Sequence, residues 1–180
     1  MNIELLTPEA AHRRLEELVD LLTDAVDSGA SVGFLPPLGR DEALEYWLGI
    51  ISEVEAGHRI VLAARQGEGL VGSVQLELAT KANARHRAEV QRLVVQRSAR
   101  RQGIGERLMR EVEAKATERG RTLLVLDTRQ GDVSEVLYRK LGYVQGGAIP
   151  GYARNADGTM HTTVFYYRDL STNEGDTAWT

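Results

Sequence analysis

Leu93-Val94-Val95-Gln96-Arg97-Ser98-Ala99-Arg100-Arg101-Gln102-Gly103-Ile104-Gly105 is the stretch on which the fold turns. An apolar strand end runs through a basic loop into the start of a helix. The first turn of a helix carries backbone N–H groups without intrahelical acceptors and a partial positive charge. Glycine lacks Cβ, so Gly103 and Gly105 let a ligand come close to the main chain. Together these features make an anion site suited to a phosphate or pyrophosphate. The alternative is a solvated basic loop before an ordinary helix.

Charge points the same way. Residues 85–101 hold Arg85, Arg87, Arg92, Arg97, Arg100 and Arg101 against one acid, Glu89. This +5 segment sits in a chain of formal charge −4, which leaves −9 elsewhere. A positive island in an acidic chain calls for an anionic partner. No Gly-x-x-x-x-Gly-Lys-Ser/Thr run exists, which excludes a P-loop. Leu108 stands where a dinucleotide fingerprint needs its third glycine, so that class fails too.

Working outward, 3–6 reads as a strand. Thr7 caps a helix with Pro8 at its first position and Ala10 at N3. Leu15, Leu18, Val19, Leu22 and Val26 continue it at helical spacing, up to Gly29. Residues 30–37 form an apolar loop. Asp41 caps a second helix carrying Leu44, Trp47, Leu48 and Ile51, which ends near Gly57. Strands follow at 59–65, 70–79 and 88–96, the first two joined by a tight turn at 66–69. A helix over 103–119 places Ile104, Leu108, Val112 and Ala116 on one face, with Gly120 after it. Residues 123–126 form an apolar strand expected to be buried on both faces. A helix at 133–141, a strand at 143–148, a turn at 155–158 and a strand at 162–167 complete the chain. The order β-α-α-β-β-β-α-β-α-β-β gives a mixed α/β class with one sheet. Residues 1–170 form one domain, and 171–180 read as a flexible C-terminal tail.

Composition narrows the function. The chain has 180 residues, 42% hydrophobic and 27% charged, an ordinary globular balance. Its net negative charge disfavours a nucleic-acid binder. Cysteine is absent, which removes disulfides, thiolate metal sites and a Cys nucleophile. His12, His58, His86 and His161 have no metal-ligand spacing, so no metal is expected. No apolar run is long enough to span a bilayer. Residues 1–8 lack the basic and apolar regions of a signal peptide, so a cytoplasmic protein without a membrane partner is expected.

Arg100 to Leu108, preceded by Gln91 to Val95, and the downstream run Val136-Leu137-Tyr138-Arg139-Lys140-Leu141-Gly142-Tyr143 resemble the GNAT superfamily of N-acetyltransferases. The likeness spans about residues 3–168. Residues 146–152 followed by 157–161 are similar to a narrower branch of antibiotic- and toxin-resistance enzymes, the tabtoxin-resistance protein among them. The resemblance implies a GNAT-like fold and acetyl-CoA as donor co-substrate. It implies that the backbone of Arg100, Arg101, Gln102, Gly103, Ile104 and Gly105 holds the pyrophosphate. It also implies that Leu93, Val94 and Val95 pair with the pantetheine arm through main-chain groups.

Transfer of an acetyl group to an amine needs a base, a dipole for the oxyanion and an acid for the leaving thiolate. The resemblance makes Tyr138 the acid; a phenol with a pKa near 10 is protonated at neutral pH. Its alternative is a packing role beside Val133 and Leu141. Glu89, the lone acid of the basic segment, is the base candidate; its alternative is an ion pair with Arg85, Arg87 or Arg92. Asp127 ends the apolar strand, where a second carboxylate would draw an amine and raise the pair's pKa. Its alternative is to cap the following turn. Thr128 would add a hydroxyl. Phe34, Trp47, Tyr152 and His161 are weaker pocket candidates. The expected partner is a small cationic amine, acetylated by a monomer or homodimer. A peptide acetyltransferase and a non-catalytic acyl-CoA-binding module are the other readings.

Overall fold

The computed structural model describes residues 1–171; the remainder of the expected tail, 172–180, lies outside the described residues. In chain order it shows β1 (Asn2–Leu5), α1 (Pro8–Arg13), α2 (Leu15–Asp27), α3 (Arg40–Glu55), β2 (Arg59–Gln66), β3 (Gly69–Leu78), β4 (Arg87–Val95), α4 (Ile104–Glu118), β5 (Leu123–Arg129), α5 (Ser134–Lys140), β6 (Val144–Arg154) and β7 (Met160–Asp169). The strands make one sheet in the order β1-β2-β3-β4-β5-β7-β6. Only β4 and β5 run parallel; the other neighbours are antiparallel. A parallel pair needs a crossover, and α4 supplies it.

Period-2 alternation divides the core into two layers. On β2, Ile60, Leu62 and Ala64 face α4, while Val61 and Ala63 face α1–α3. Leu108, Met109, Val112 and Ala116 fill the α4 side. Trp47 and Leu22 fill the other. Burying a Leu or Val side chain contributes about 1.5–3 kcal/mol, so this alternation fixes the register of the central strands.

Four expectations differ from the structure. The first helix is two. Arg14 leaves helical geometry at φ −106°, ψ 15°, ending α1 and starting α2. Its guanidinium reaches Glu4 at 3.1 Å and Glu17 at 2.8 Å. Thr7 does cap α1, accepting from Ala10 N–H at 3.2 Å. On α3, Gly39 is the N-cap and Asp41 lies in the first turn. β5 is not buried on both faces: Leu124 and Leu126 are buried, Leu123 and Val125 only partly. α1–α3 pack over the β1–β4 part of the sheet, so among the described residues no helix packs closely on the second face of β5. Finally, β6 continues to Arg154, past Pro150 and Gly151, with a register irregularity between Ile149 and Ala153. A bulge absorbs the breaker residues.

Candidate active site

Two parallel strands that part create the site. β4 pairs with β5 only from Arg87–Leu123 to Glu89–Val125. Beyond Glu89, β4 bulges: its register against β3 shifts, and Arg92 takes φ 47°. The parting leaves a slot of about 260 Å³ between Val90–Leu93 and Asp127–Thr128. Its rim is closed by the loop at 30–33 and by Asp132, Ser134 and Tyr138.

Glu89, Asp127 and Tyr138 come from three elements and all line this slot. Glu89 Oε1 accepts from Gln91 Nε2 at 2.9 Å. Among the described residues Glu89 makes no ion pair with Arg85, Arg87 or Arg92. Asp127 is not the cap of the following turn. Asp132 Oδ1 accepts from Ser134 N–H at 2.8 Å, at the start of α5. Partial burial raises the Asp127 pKa, and the Glu89 charge raises it further, against the pull of Arg92 and His161. Tyr138 is buried, and burial pushes its phenol well above the ordinary tyrosine range. A hydrogen bond with Ser134 works the other way, while Asp132 and Asp127 add to the rise. Its proton is therefore held throughout the neutral range. The ring lies 5.9 Å from that of Tyr143 and 6.0 Å from that of Tyr166. Thr128 Oγ1 and Ser134 Oγ are 2.9 Å apart beside it.

The α4 end of β4 carries the other half of the candidates. Gly103 is the α4 N-cap at φ 76°, and Arg101 also has positive φ, 63°. Left-handed residues so spaced turn main-chain N–H groups toward one side. Arg107 N–H makes a helical bond to Gly103 O at 3.1 Å. The N–H groups of Gly103, Ile104, Gly105 and Glu106 precede any possible intrahelical acceptor. A Cβ built on Gly105 would meet only Leu137 Cδ2 at 3.5 Å and Leu93 Cδ2 at 3.9 Å, ordinary contacts. Protein packing thus does not demand glycine at 105. Leu93 lines the slot, whereas Val94 and Val95 pair with Ser73 and Gly72 on β3 and leave their other edge unpaired.

The basic segment is not one patch. Arg97 Nε pairs with Asp24 at 2.7 Å. Arg100 donates to Val95 O at 3.0 Å and to Ser28 Oγ at 2.6 Å. Arg92 lies 4.7 Å over the Tyr46 ring. Arg87 is at the far end of β4, beyond Glu89. Among the described residues, Arg101 is the one arginine of the loop whose side chain keeps no partner.

Sequence reasoning missed what holds Glu89. Gln91 Nε2 also donates to Glu77 at 3.0 Å, and its Oε1 accepts from Arg59 at 2.8 Å and Arg92 at 3.1 Å. Arg59 reaches Gln75 at 3.1 Å and Glu77 at 2.7 Å, and Tyr46 donates to Gln75 at 2.9 Å. Gln75 is fully buried in the middle of β3. Of the weaker candidates, Trp47 is core, at 1% exposure. Phe34 lines a separate cavity, and Tyr152 packs edge-on against Phe165 at 5.3 Å. His161 Nε2 stands 3.4 Å from Ser31 Oγ at the slot rim.

Among the described residues, no cluster of His, Asp and Glu is placed to hold a metal, and no helix is long and apolar enough to cross a membrane. The same fold recurs in solved structures. An N-acetyltransferase from Staphylococcus aureus Mu50 superposes at TM-score 0.78 with 18% identity, over 94% of this chain and 99% of that one. The structure of yncA from Salmonella typhimurium with its cofactor acetyl-CoA gives 0.77 with 15% identity, over 99% and 100%. Aminoglycoside 6'-acetyltransferase type Ii gives 0.72 with 23% identity, over 94% and 97%. The sequence profile of the Acetyltransferase (GNAT) family matches residues 16–143, from α2 through the slot and α4 to just past α5. With the parted β4–β5 pair and the glycine-led α4 inside that span, the chain belongs to the acetyltransferase (GNAT) family.

Proposed function

We propose that this protein moves an acetyl group from acetyl-CoA directly to the primary amine of a small molecule. The observation that carries the reading is the convergence of Glu89, Asp127 and Tyr138 on one slot, whose Leu93 wall lies beside Gly105 at the open N-terminus of α4. Acetyl-CoA supplies an activated acyl group and a thiolate leaving group. Main-chain N–H groups of residues 101–105 hold its pyrophosphate, and the unpaired edge of Leu93, Val94 and Val95 receives its pantetheine arm as an added strand. That Gly105 has no packing need for glycine supports close approach of a ligand there.

Glu89 takes a proton from the incoming ammonium, so that the amine nitrogen can attack. Gln91 fixes the acceptor oxygen of Glu89, which orients its carboxylate into the slot. Asp127 adds negative charge that draws the amine in, and its raised pKa suits it to hold a proton in passing. Main-chain N–H groups on the open edge of β4 face the developing oxyanion. The Tyr138 hydroxyl, kept protonated by its burial, gives its proton to the departing sulfur. The chain has no cysteine, so no acetyl-cysteine forms on the way.

The hairpin of β6 and β7 carries the likeness to antibiotic- and toxin-resistance enzymes, and it supplies Arg154 and Asp157 to the acceptor side of the site. An antibiotic or toxin amine is therefore part of the proposed acceptor class. The test is thiol release from acetyl-CoA on mixing with a library of amines. The wild-type protein releases thiol with at least one class. Glu89→Gln combined with Asp127→Asn lowers kcat/KM by about a thousandfold or more. A double variant with near-wild-type rates places the base elsewhere.

A further inference from the structure

Beside the slot lies a second cavity, of about 360 Å³, with charge of the opposite sign. The slot is walled by Glu89, Asp127 and Asp132 against one cation, Arg92, which leaves it a negative excess. The cavity is walled by Arg129 and Arg154, over an apolar floor that includes Phe34 and Pro36. Ala30 and Ser31 belong to both walls, so the two spaces adjoin.

Arg129 follows Asp127 by two residues on β5, so their side chains share a face, with Cα atoms about 7 Å apart. Arg129 Nη2 donates to Gly29 O at 3.2 Å, which holds the guanidinium across the cavity mouth. Its Nε is enclosed and has no hydrogen-bond partner among the described residues. Arg154 closes β6, and its guanidinium makes no ion pair or hydrogen bond among the described residues. One acid, Asp157, shares the wall. Its Oδ1 already accepts from Thr159 N–H at 2.9 Å and Thr159 hydroxyl at 2.6 Å. The cavity therefore keeps a positive excess and unused guanidinium donors, a match for a planar or tetrahedral oxyanion.

The geometry points to an acceptor that carries an anionic group, a carboxylate or phosphonate, close to the amine that is acetylated, since the two spaces share the Ala30–Ser31 wall. This is a small amino-acid-like zwitterion, with its ammonium between Glu89 and Asp127 and its anion on Arg129 and Arg154. A polycation would set a second ammonium against both arginines, and that repulsion selects against it. The inference rests on the proposed acetyl transfer at the slot.

The test compares matched acceptors by thiol release, which the cysteine-free chain reports without background. The probes are the standard L-amino acids and 2-amino-4-phosphonobutyrate, the amino acids' carboxamides and decarboxylated amines, spermidine and kanamycin. For the best amino acid, kcat/KM exceeds that of its amide and its decarboxylated amine by about tenfold or more. Arg154→Gln and Arg129→Gln each bring that ratio toward one, mainly through KM. Equal or better turnover of the amide, the decarboxylated amine, spermidine or kanamycin overturns the zwitterion while leaving the transfer intact. So does a ratio unchanged in both variants. No thiol release with any probe overturns the transfer itself. In that event, thermal stabilisation of the CoA-loaded protein by 2-amino-4-phosphonobutyrate or an amino acid, absent with the amides and in Arg154→Gln, upholds the anion subsite. Equal shifts for acid and amide overturn it.

Discussion

In the proposed reaction the donor and acceptor ends of the site work by different means. At the donor end, the first turn of α4 and the free edge of β4 offer main-chain groups, and side chains such as Arg97 and Arg100 are engaged in holding the loop to α2 and β4. At the acceptor end, side chains make the site: carboxylates from β4 and β5, and arginines from β5 and β6. Main-chain recognition constrains conformation and tolerates residue change. Side-chain recognition constrains residue identity and can be retuned without disturbing the fold.

Tyr138 stands between the two ends, and after the paired change at Glu89 and Asp127 its removal has the largest effect. Tyr138→Phe keeps the ring beside Tyr143 and Tyr166 and loses only the hydroxyl. Turnover falls by about a hundredfold, while the KM values of both substrates stay within about twofold. A matched loss in acetyl-CoA KM would move Tyr138 from the chemistry to the donor end. Full activity would remove it as the acid.

Gly105 probes the donor end alone. Alanine fits there without a clash, and in a helix it is favoured over glycine by up to about 1 kcal/mol. Gly105→Ala is expected to fold at least as stably as the wild type. Its added methyl stands over the N–H groups of the first turn, so the KM for acetyl-CoA rises several-fold, with no change in acceptor preference. Unfolding and saturation curves on the same sample check both halves. A variant that loses stability and keeps its KM would make Gly105 a packing residue.

This asymmetry explains what could be read in advance. The strand-helix order was legible because alternation on β2 and a helical stripe on α4 are strong signals that the core enforces. The break at Arg14 was not, since apolar spacing continues through it and the cause is a guanidinium reaching back to Glu4 on β1. The donor loop was legible because glycine and helix-start chemistry are local. The Gln91 network was hidden by its own pattern. Ser73, Gln75 and Glu77 alternate with Val74, Leu76 and Leu78, which reads as a solvated face. Tyr46 of α3 packs over that face and turns Gln75 into a buried partner of Arg59. Arg129 and Arg154 were equally silent, because only folding brings the end of β6 to the loop at 29–36.

Asp127 gives the smallest effect and the one that separates function from stability. Its folded-state pKa is raised, by burial first and by Glu89 second. A raised carboxyl pKa means that the folded state binds the proton more tightly than the unfolded chain does. Stability therefore falls as pH rises from the unfolded value, about 3.9, through the folded value, and the deficit is constant above it. Asp127→Asn removes the ionised form and with it the deficit. The variant is expected to be the more stable protein at pH 7, with an advantage that shrinks on acidification and vanishes below about pH 3.9. More than a third of Asp127 is open to solvent in the slot. Screening there keeps the gain below about 1 kcal/mol, or a rise of no more than about 4 °C in Tm. Acetyl transfer by the same variant drops, because the slot loses half of the charge that draws the ammonium in. Thermal melts across pH 4–8 beside rate measurements decide the matter. A variant destabilised at pH 7 would show Asp127 holding the fold together, whereas one stabilised and slowed shows a carboxylate kept in an unfavourable place for the sake of the reaction.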